Sequence, residues 1–296
     1  MKQKTIKQQE PVKIGIIGGS GLYHIDGLTD IKETRIKTPF GDPSDAIITG
    51  SLQGRRVAFL PRHGRGHRIL PTEVNSRANI YALKSLGVEH IVSVSACGSL
   101  KEELKPRDFV IPDQIFDRTR LRKPTFFGDG LVAHIEFAEP YCVELRELAF
   151  GCLKEAGATV HHGGTYVCIE GPQFSTKAES EVNRKLGFSI VGMTALPEAK
   201  LAREAEICYV TVAAVTDYDV WKEGEEVTSD MVIGNLNANI NNVKNMLKIL
   251  IPKIPLKPRS CKCASTLKYA IFTGKDSANT KTVKKLDLLI GKYWRK

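Results

Sequence analysis

Short apolar, β-branched runs alternate with stretches of helical periodicity between residues 12 and 252. The runs "VKIGIIG" (12–18), "DAIITG" (45–50), "RVAFLP" (56–61) and "HIVSVSA" (90–96) read as strands. So do "DFVIPDQI" (108–115), "TYVCIE" (165–170), "FSIVGM" (188–193) and "ICYVTVAAVTD" (207–217). Between them, 73–86, 142–156, 175–186 and 196–206 carry apolar positions at helical spacing. A longer helix is predicted after Thr228-Ser229-Asp230, residues whose side-chain oxygens suit an N-cap. Val232, Ile233, Leu236, Ile240, Val243, Leu247 and Leu250 form its apolar stripe.

Continuous apolar strands interleaved with helices predict a largely buried sheet covered on both faces. With no repeat and no Pro/Gly-rich linker between them, residues 12–252 read as one α/β domain. After Ile251 the "PKIPLKP" stretch breaks the helix, and 253–296 reads as a basic C-terminal extension with short helices near 264–272 and 280–292. The net charge of +10 resides there. Lys253–Lys296 holds 12 Lys or Arg against the two acids Asp276 and Asp287, while the body balances at 31 of each sign. A neutral body argues against a nucleic-acid-binding protein, and the extension reads as a solvated arm.

The 296 residues contain neither an apolar N-terminal leader nor an apolar run of membrane-spanning length. The expectation is a soluble, cytoplasmic protein. Of the seven cysteines, Cys97, Cys152, Cys168 and Cys208 sit in apolar segments, where a cysteine behaves as a small core residue. No CxxC pair or Cys/His spacing suits zinc. Cys261-Lys262-Cys263 stands outside the body and reads as two free thiols, with a redox or structural pair as the other reading.

Three strand ends carry candidate chemistry. "GGSG" (18–21) closes the first strand and offers backbone N–H groups and the Ser20 hydroxyl to an anion. It matches neither G-x-G-x-x-G nor a Walker A loop. "LPRHGRGH" (60–67) gathers two arginines and two histidines around two glycines. Its Arg62-His63-Gly64 is similar to the histidine-phosphatase signature, but Gly66 stands where that signature has Arg or Glu. "VSACGS" (94–99) supplies small residues at a third strand end. In open α/β sheets ligands bind beyond the carboxyl ends of strands, so Ser20, Arg62, His63 and Ser95 can converge on one oxyanion. Arginine would grip it with both arms of its fork. Downstream, Phe174 suits either a core or stacking on a flat ring, and the Thr194 hydroxyl lies at the start of a helix beginning near Pro197. Asp217 and Asp219 read as a metal pair, a turn or partners for a purine.

Taken in order, "GIIGGSGL", "TPFGDPSD", "RHGRGH", "SACGSL", "DQIFDRT", "CIEGPQFSTKAES", "GMTALPEAKLAREAEICY" and "TDYDVW" resemble the 5′-methylthioadenosine phosphorylases of the trimeric purine nucleoside phosphorylase family. The resemblance runs from about Lys13 to Ile251. It implies a single α/β domain with a central mixed sheet flanked by helices, a homotrimer or a dimer of trimers, and no metal or organic cofactor. The implied reaction is phosphorolysis of methylthioadenosine to adenine and methylthioribose 1-phosphate, with inorganic phosphate as co-substrate. By position, Ser20, Arg62, His63, Ser95, Ala96 and Thr194 would bind phosphate, and His63 would belong to a cradle rather than act as a nucleophile. Met193 would meet the ribose, Phe174 the purine, and Asp217 and Asp219 the base, with Asp217 as the catalytic acid. Val232 and Ile233 would offer an apolar surface to the methylthio group. His134, in "VAHIEFAEP", would reach the neighbouring subunit's site. The runner-up is a broader purine nucleoside phosphorylase that accepts 6-oxopurines, and the non-enzymatic alternative is a polyanion-binding protein acting through its tail.

Overall fold

A computed structural model describes residues 11–19, 22, 24–224, 227–256 and 259–295. Its strands are β1 (Ile14–Gly18), β2 (Thr29–Thr34), β3 (Ile47–Leu52), β4 (Arg55–Pro61), β5 (His90–Ser99), β6 (Phe109–Ile111), β7 (Gln114–Asp117), β8 (Val160–His162), β9 (Thr165–Cys168), β10 (Ile190–Gly192) and β11 (Cys208–Asp217). The helices are α1 (Ser76–Ser85), α2 (Val143–Glu155), α3 (Lys177–Lys185), α4 (Ala195–Glu204), α5 (Ser229–Lys253), α6 (Thr280–Lys285) and α7 (Asp287–Trp294).

All the strands join one mixed sheet that forks at β5. β5 runs parallel to β1 over its first residues and parallel to β11 along its length, then turns antiparallel to β10 through Gly98 and Ser99. β1 is also parallel to β4, with Gly18 beside Pro61. The carboxyl ends of β1, β4, β5 and β11 therefore emerge together, and Gly98 lies level with Asp217.

Alternate residues of these buried strands face opposite layers, as a pleat requires. On one face, Ile17, Ile91, Val110, Tyr209 and Ala213 pack with Ile80 and Leu83 of α1 and Leu201 of α4. On the other, Ile16, Val92, Phe109, Val210 and Val212 pack with Leu145 and Leu153 of α2 and Val243 and Leu247 of α5. Thr228 caps α5 by accepting from the Met231 N–H at 3.2 Å, as its sequence predicts.

The predicted strand over 108–115 divides. Pro112 lacks an N–H to continue the ladder, so β6 pairs with β11 and β8 while β7 crosses to β9. β2 went unpredicted because it is a polar edge strand with exposed side chains, and β8 because it has three residues. The basic extension is not a solvated arm. Helix α5 continues to Lys253, and Leu267, Ala270, Leu286, Leu289 and Ile290 then join the core over α1 and α4. Among its described residues most lysines stay exposed along this apolar seam, whereas Arg259 is largely buried; Tyr293 Oη donates to the buried Glu206 carboxylate at 2.7 Å, and Lys292 pairs with the same carboxylate. Nor do Cys261 and Cys263 stand apart, since the fold brings them to Cys142 and Cys208. Among the described residues no helix is long and apolar enough to cross a membrane.

A docked tail makes a clear demand. Ile290→Ala should lower unfolding free energy by about 2–5 kcal/mol in urea titrations, the cost of truncating a fully buried aliphatic side chain. A solvated arm would leave it within about 0.5 kcal/mol.

Candidate functional site

The shared carboxyl ends of the strands open into a cavity of about 380 Å³. Arg62, His63, Ser95, Ala96, Thr194, Phe174, Met193, Asp217, Asp219 and Val232 all line it. Ser20 lies outside the described residues, although its neighbour Gly19 is on the wall. His134 is elsewhere, on the surface: its backbone N–H donates to the Ala270 carbonyl, and its exposed ring sits edge-on to Phe272.

At one end of the cavity Arg62 is 3% exposed and already engaged. Its Nε donates to Glu198 Oε1 at 2.5 Å and its Nη2 to Glu198 Oε2 at 3.2 Å and to Ser93 Oγ at 2.6 Å. Nη1 donates to the Val94 carbonyl at 3.0 Å. The fork expected to grasp an anion is thus turned on Glu198, and one Nη1 hydrogen remains uncommitted among the described residues. Burial alone would weaken Arg62's charge, but the Glu198 carboxylate more than offsets it and holds the guanidinium above its ordinary pKa.

His63 Nδ1 lies 2.8 Å from the Ile69 carbonyl, an acceptor only, so Nδ1 carries the proton and Nε2 is left as an acceptor. Burial and then the Arg62 charge push the imidazole down to about 4, so it is neutral near pH 7. His67 stacks on it with ring centroids 4.5 Å apart. The Ser95 hydroxyl is buried on the cavity wall without a protein partner. Such an orphaned group ordinarily finds water or a ligand. Thr194 comes just before α4 and its hydroxyl makes no capping bond; Leu196, extended at φ −114° and ψ 141°, separates it from the regular helix that starts at Pro197.

At the other end Asp217 is 5% exposed. One carboxylate oxygen accepts from the Asp219 backbone N–H at 2.8 Å, and the other lies 2.7 Å from the Thr216 hydroxyl. Burial raises Asp217 to about 6 in spite of these bonds, and it also raises Asp219. A Cβ at Gly98 would stand 2.8 Å from the Asp217 carboxylate, so only glycine leaves that carboxyl where it is. Phe174 is half-exposed at the cavity mouth. From α5, Val232, Leu236 and Ile240 reach the cavity, whereas Ile233 points outward at 55% exposure; the apolar surface expected from Val232 and Ile233 is built one turn further along.

Three residues of the site are not evident from sequence. Glu198 also accepts from Ser93 Oγ at 2.9 Å and Tyr209 Oη at 3.0 Å. The one available signal was an acid in helical register with Leu201 and Ala202 on a buried face. Arg122, 5% exposed, donates to the Met193, Leu196, Ile169 and Glu170 carbonyls and to the Glu170 carboxylate, clamping the ends of β9 and β10 behind Met193. Asn239 on α5 lines the cavity with a buried Nδ2 that has no protein partner.

Residues 13–252 match the model of the phosphorylase superfamily. The S-methyl-5′-thioadenosine phosphorylase of Koribacter versatilis is 56% identical, over 95% of this chain and 97% of its own. The crystal structure of a methylthioadenosine phosphorylase from an antarctic soil metagenomic library superposes with a TM-score of 0.90 at 48% identity, covering 94% of this chain and 99% of that one. The methylthioadenosine phosphorylase of Schistosoma mansoni, in complex with adenine, gives 0.81 at 38% identity over 86% and 96%.

The buried pair at the cavity floor is testable by itself. Glu198→Gln leaves the Arg62 charge uncompensated and should cost about 3–5 kcal/mol of folding stability by chemical denaturation. A loss within about 1 kcal/mol, the range of surface pairs, would mean that Arg62 is solvated rather than sealed.

Proposed function

The chain belongs to the phosphorylase superfamily, and we propose that it catalyses phosphorolysis of 5′-methylthioadenosine to adenine and 5-methylthioribose 1-phosphate. The observation that carries this reading is the near-full-length likeness to methylthioadenosine phosphorylases, within a family match over residues 13–252 that includes every stretch lining the cavity. In this reading phosphate occupies the end formed by Arg62, His63, Ser95, Ala96 and Thr194, with Ser20 from the first strand end. The uncommitted Arg62 N–H, the free Ser95 hydroxyl and the Thr194 hydroxyl donate to its oxygens. Neutral His63 accepts the phosphate's own P–O–H at Nε2, a role that a charged imidazolium would lose.

Methylthioadenosine lies along the cavity with its ribose on Met193, its purine against Phe174 and its methylthio group toward Val232, Leu236 and Ile240. A phosphate oxygen attacks C1′; the new C–O bond forms as the C1′–N9 bond breaks, and that bond's electron pair leaves with the purine. Positive charge builds on the ribose, as in glycoside hydrolysis, and the adjacent phosphate anion both stabilises and captures it. Asp217 gives its proton to the departing base and regains one from solvent. Its companion Asp219 holds that carboxyl by a backbone N–H and faces the base. Phosphate is a co-substrate, and the bonds balance without a further group.

The working unit is a cytoplasmic homotrimer, alone or paired as a dimer of trimers, in which His134 reaches the neighbour's methylthio end. Support comes from the exposed apolar residues around it, Val132, Tyr269 and Phe272, of which Tyr269 is 83% exposed. Such a patch is more often an interface than bare surface.

Adenine release from methylthioadenosine should require phosphate; equal release in phosphate-free buffer would indicate hydrolysis and overturn the cradle. Faster turnover of inosine would favour the broader purine nucleoside phosphorylase. Asp217 is raised in the folded protein from 3.8 to about 6, so its acid form is lost as pH climbs through 6. The alkaline limb of kcat/KM should therefore contain this ionisation. Asp217→Asn should remove it, lower kcat/KM on methylthioadenosine by about 10²- to 10⁴-fold and narrow the preference for 6-amino over 6-oxo purines. An unaltered pH profile and base preference in that variant would assign the proton to another group.

A further inference from the structure

Four cysteines from three distant parts of the chain meet on the face of the sheet covered by α2 and α5, and none of them lines the catalytic cavity. Cys142 immediately precedes α2, Cys208 opens β11, and Cys261 and Cys263 belong to a tight 3-10 turn at Lys262–Ser265. Their sulfurs all lie within 4.8 Å of one another, with Cys208 Sγ and Cys261 Sγ 3.3 Å apart. We propose that this cluster is a structural zinc site in which all four cysteines are ligands.

The geometry and the donor chemistry agree. A tetrahedral zinc with Zn–S bonds of about 2.3 Å keeps its sulfurs roughly 3.8 Å apart, a separation the cluster accommodates. Four thiolates form a soft, closed donor set that favours zinc over hard cations and leaves no position for substrate. Three of the four cysteines are buried and Cys261 is partly so, which shields the site from competing ligands. Packing alone gives no reason for four sulfurs to converge from three separate segments.

Binding a zinc dication releases the four thiol protons to solvent and leaves a double negative charge on the site. The surroundings answer that charge. Arg259 Nη1 donates to Cys208 Sγ at 3.7 Å and is itself fixed by the Glu206 carbonyl at 2.7 Å and the Glu89 carbonyl at 3.2 Å. The Cys142 N–H donates to the Tyr209 carbonyl at 2.9 Å, holding two ligand-bearing segments in register. Outer partners of this kind orient ligands and temper their charge. The site ties the C-terminal segment to the body at the point where it leaves α5.

The test is elemental analysis of the full-length protein, purified under reducing conditions without chelator. About one zinc per chain is expected, falling to background in Cys261→Ser/Cys263→Ser. Protein produced in zinc-depleted, cobalt-supplemented medium should show thiolate-to-cobalt charge-transfer absorption and the visible bands of a tetrahedral site. Both wild-type measurements stand even if the variant fails to fold. Zinc at background in the wild-type protein would overturn the proposal, whether mass spectrometry then finds four alkylatable thiols or disulfides. Cobalt uptake without thiolate charge transfer would overturn it as well.

Discussion

A sealed cation and anion fix the separation of the walls of this site. Arg62 leaves the end of β4, Ser93 and Val94 belong to β5, Glu198 to α4 and Tyr209 to β11, and a single hydrogen-bonded network joins them at 2.5 to 3.2 Å. Removing two charges from water costs several kcal/mol per ion, offset only when geometry is good and the remaining polar atoms are paired. Here nearly every donor is paired, so the network contributes less to net stability than to uniqueness. A slip of any one wall would strand a buried charge.

That network also sets the electrostatics of the cavity. With Arg62 largely neutralised by Glu198 and His63 held neutral by burial, the anion end presents donors rather than a strong excess of positive charge. An anion bound there would meet oriented N–H and O–H groups that need little reorganisation when its charge begins to move. The same desolvation acts in the opposite sense on Asp217, raising the pH at which its carboxyl gives up a proton to about 6. One physical cause, exclusion of water from the sheet's forked edge, produces a neutral histidine at one end and an available acid at the other.

The strands that carry the site were legible because each is buried on both faces and so reads as a continuous apolar run, as in "IGIIG" and "CYVTVAAVTD". β2 was not, since an exposed edge strand needs no apolar pattern. The lining residues were legible as a series of motifs whose joint order identified a family; no one motif specified a role. Glu198 escaped because its partner lies 136 residues away in sequence, and Arg122 because four of its partners are backbone carbonyls that any residue could supply. The C-terminal extension was misread for a related reason. Leu267, Leu286, Leu289 and Ile290 are spaced among lysines, and only the groove over α1 and α4 shows that they are a packing face. Beyond the Cys261-Lys262-Cys263 pair, the cysteine cluster has no sequence spacing, because the fold brings Cys142 and Cys208 to it.

The docking of that extension orders events in time. During synthesis the strands of the sheet emerge first, and the face above α1 and α4 stays open until residues 267–290 have left the ribosome. Until then Ile80, Leu83, Leu201 and their neighbours form an apolar surface without its cover, the kind of surface that recruits chaperones or other nascent chains. The charge pattern of the segment that closes it suits the task. Its lysines keep it soluble while it waits, and its leucines and isoleucine give it one place to go.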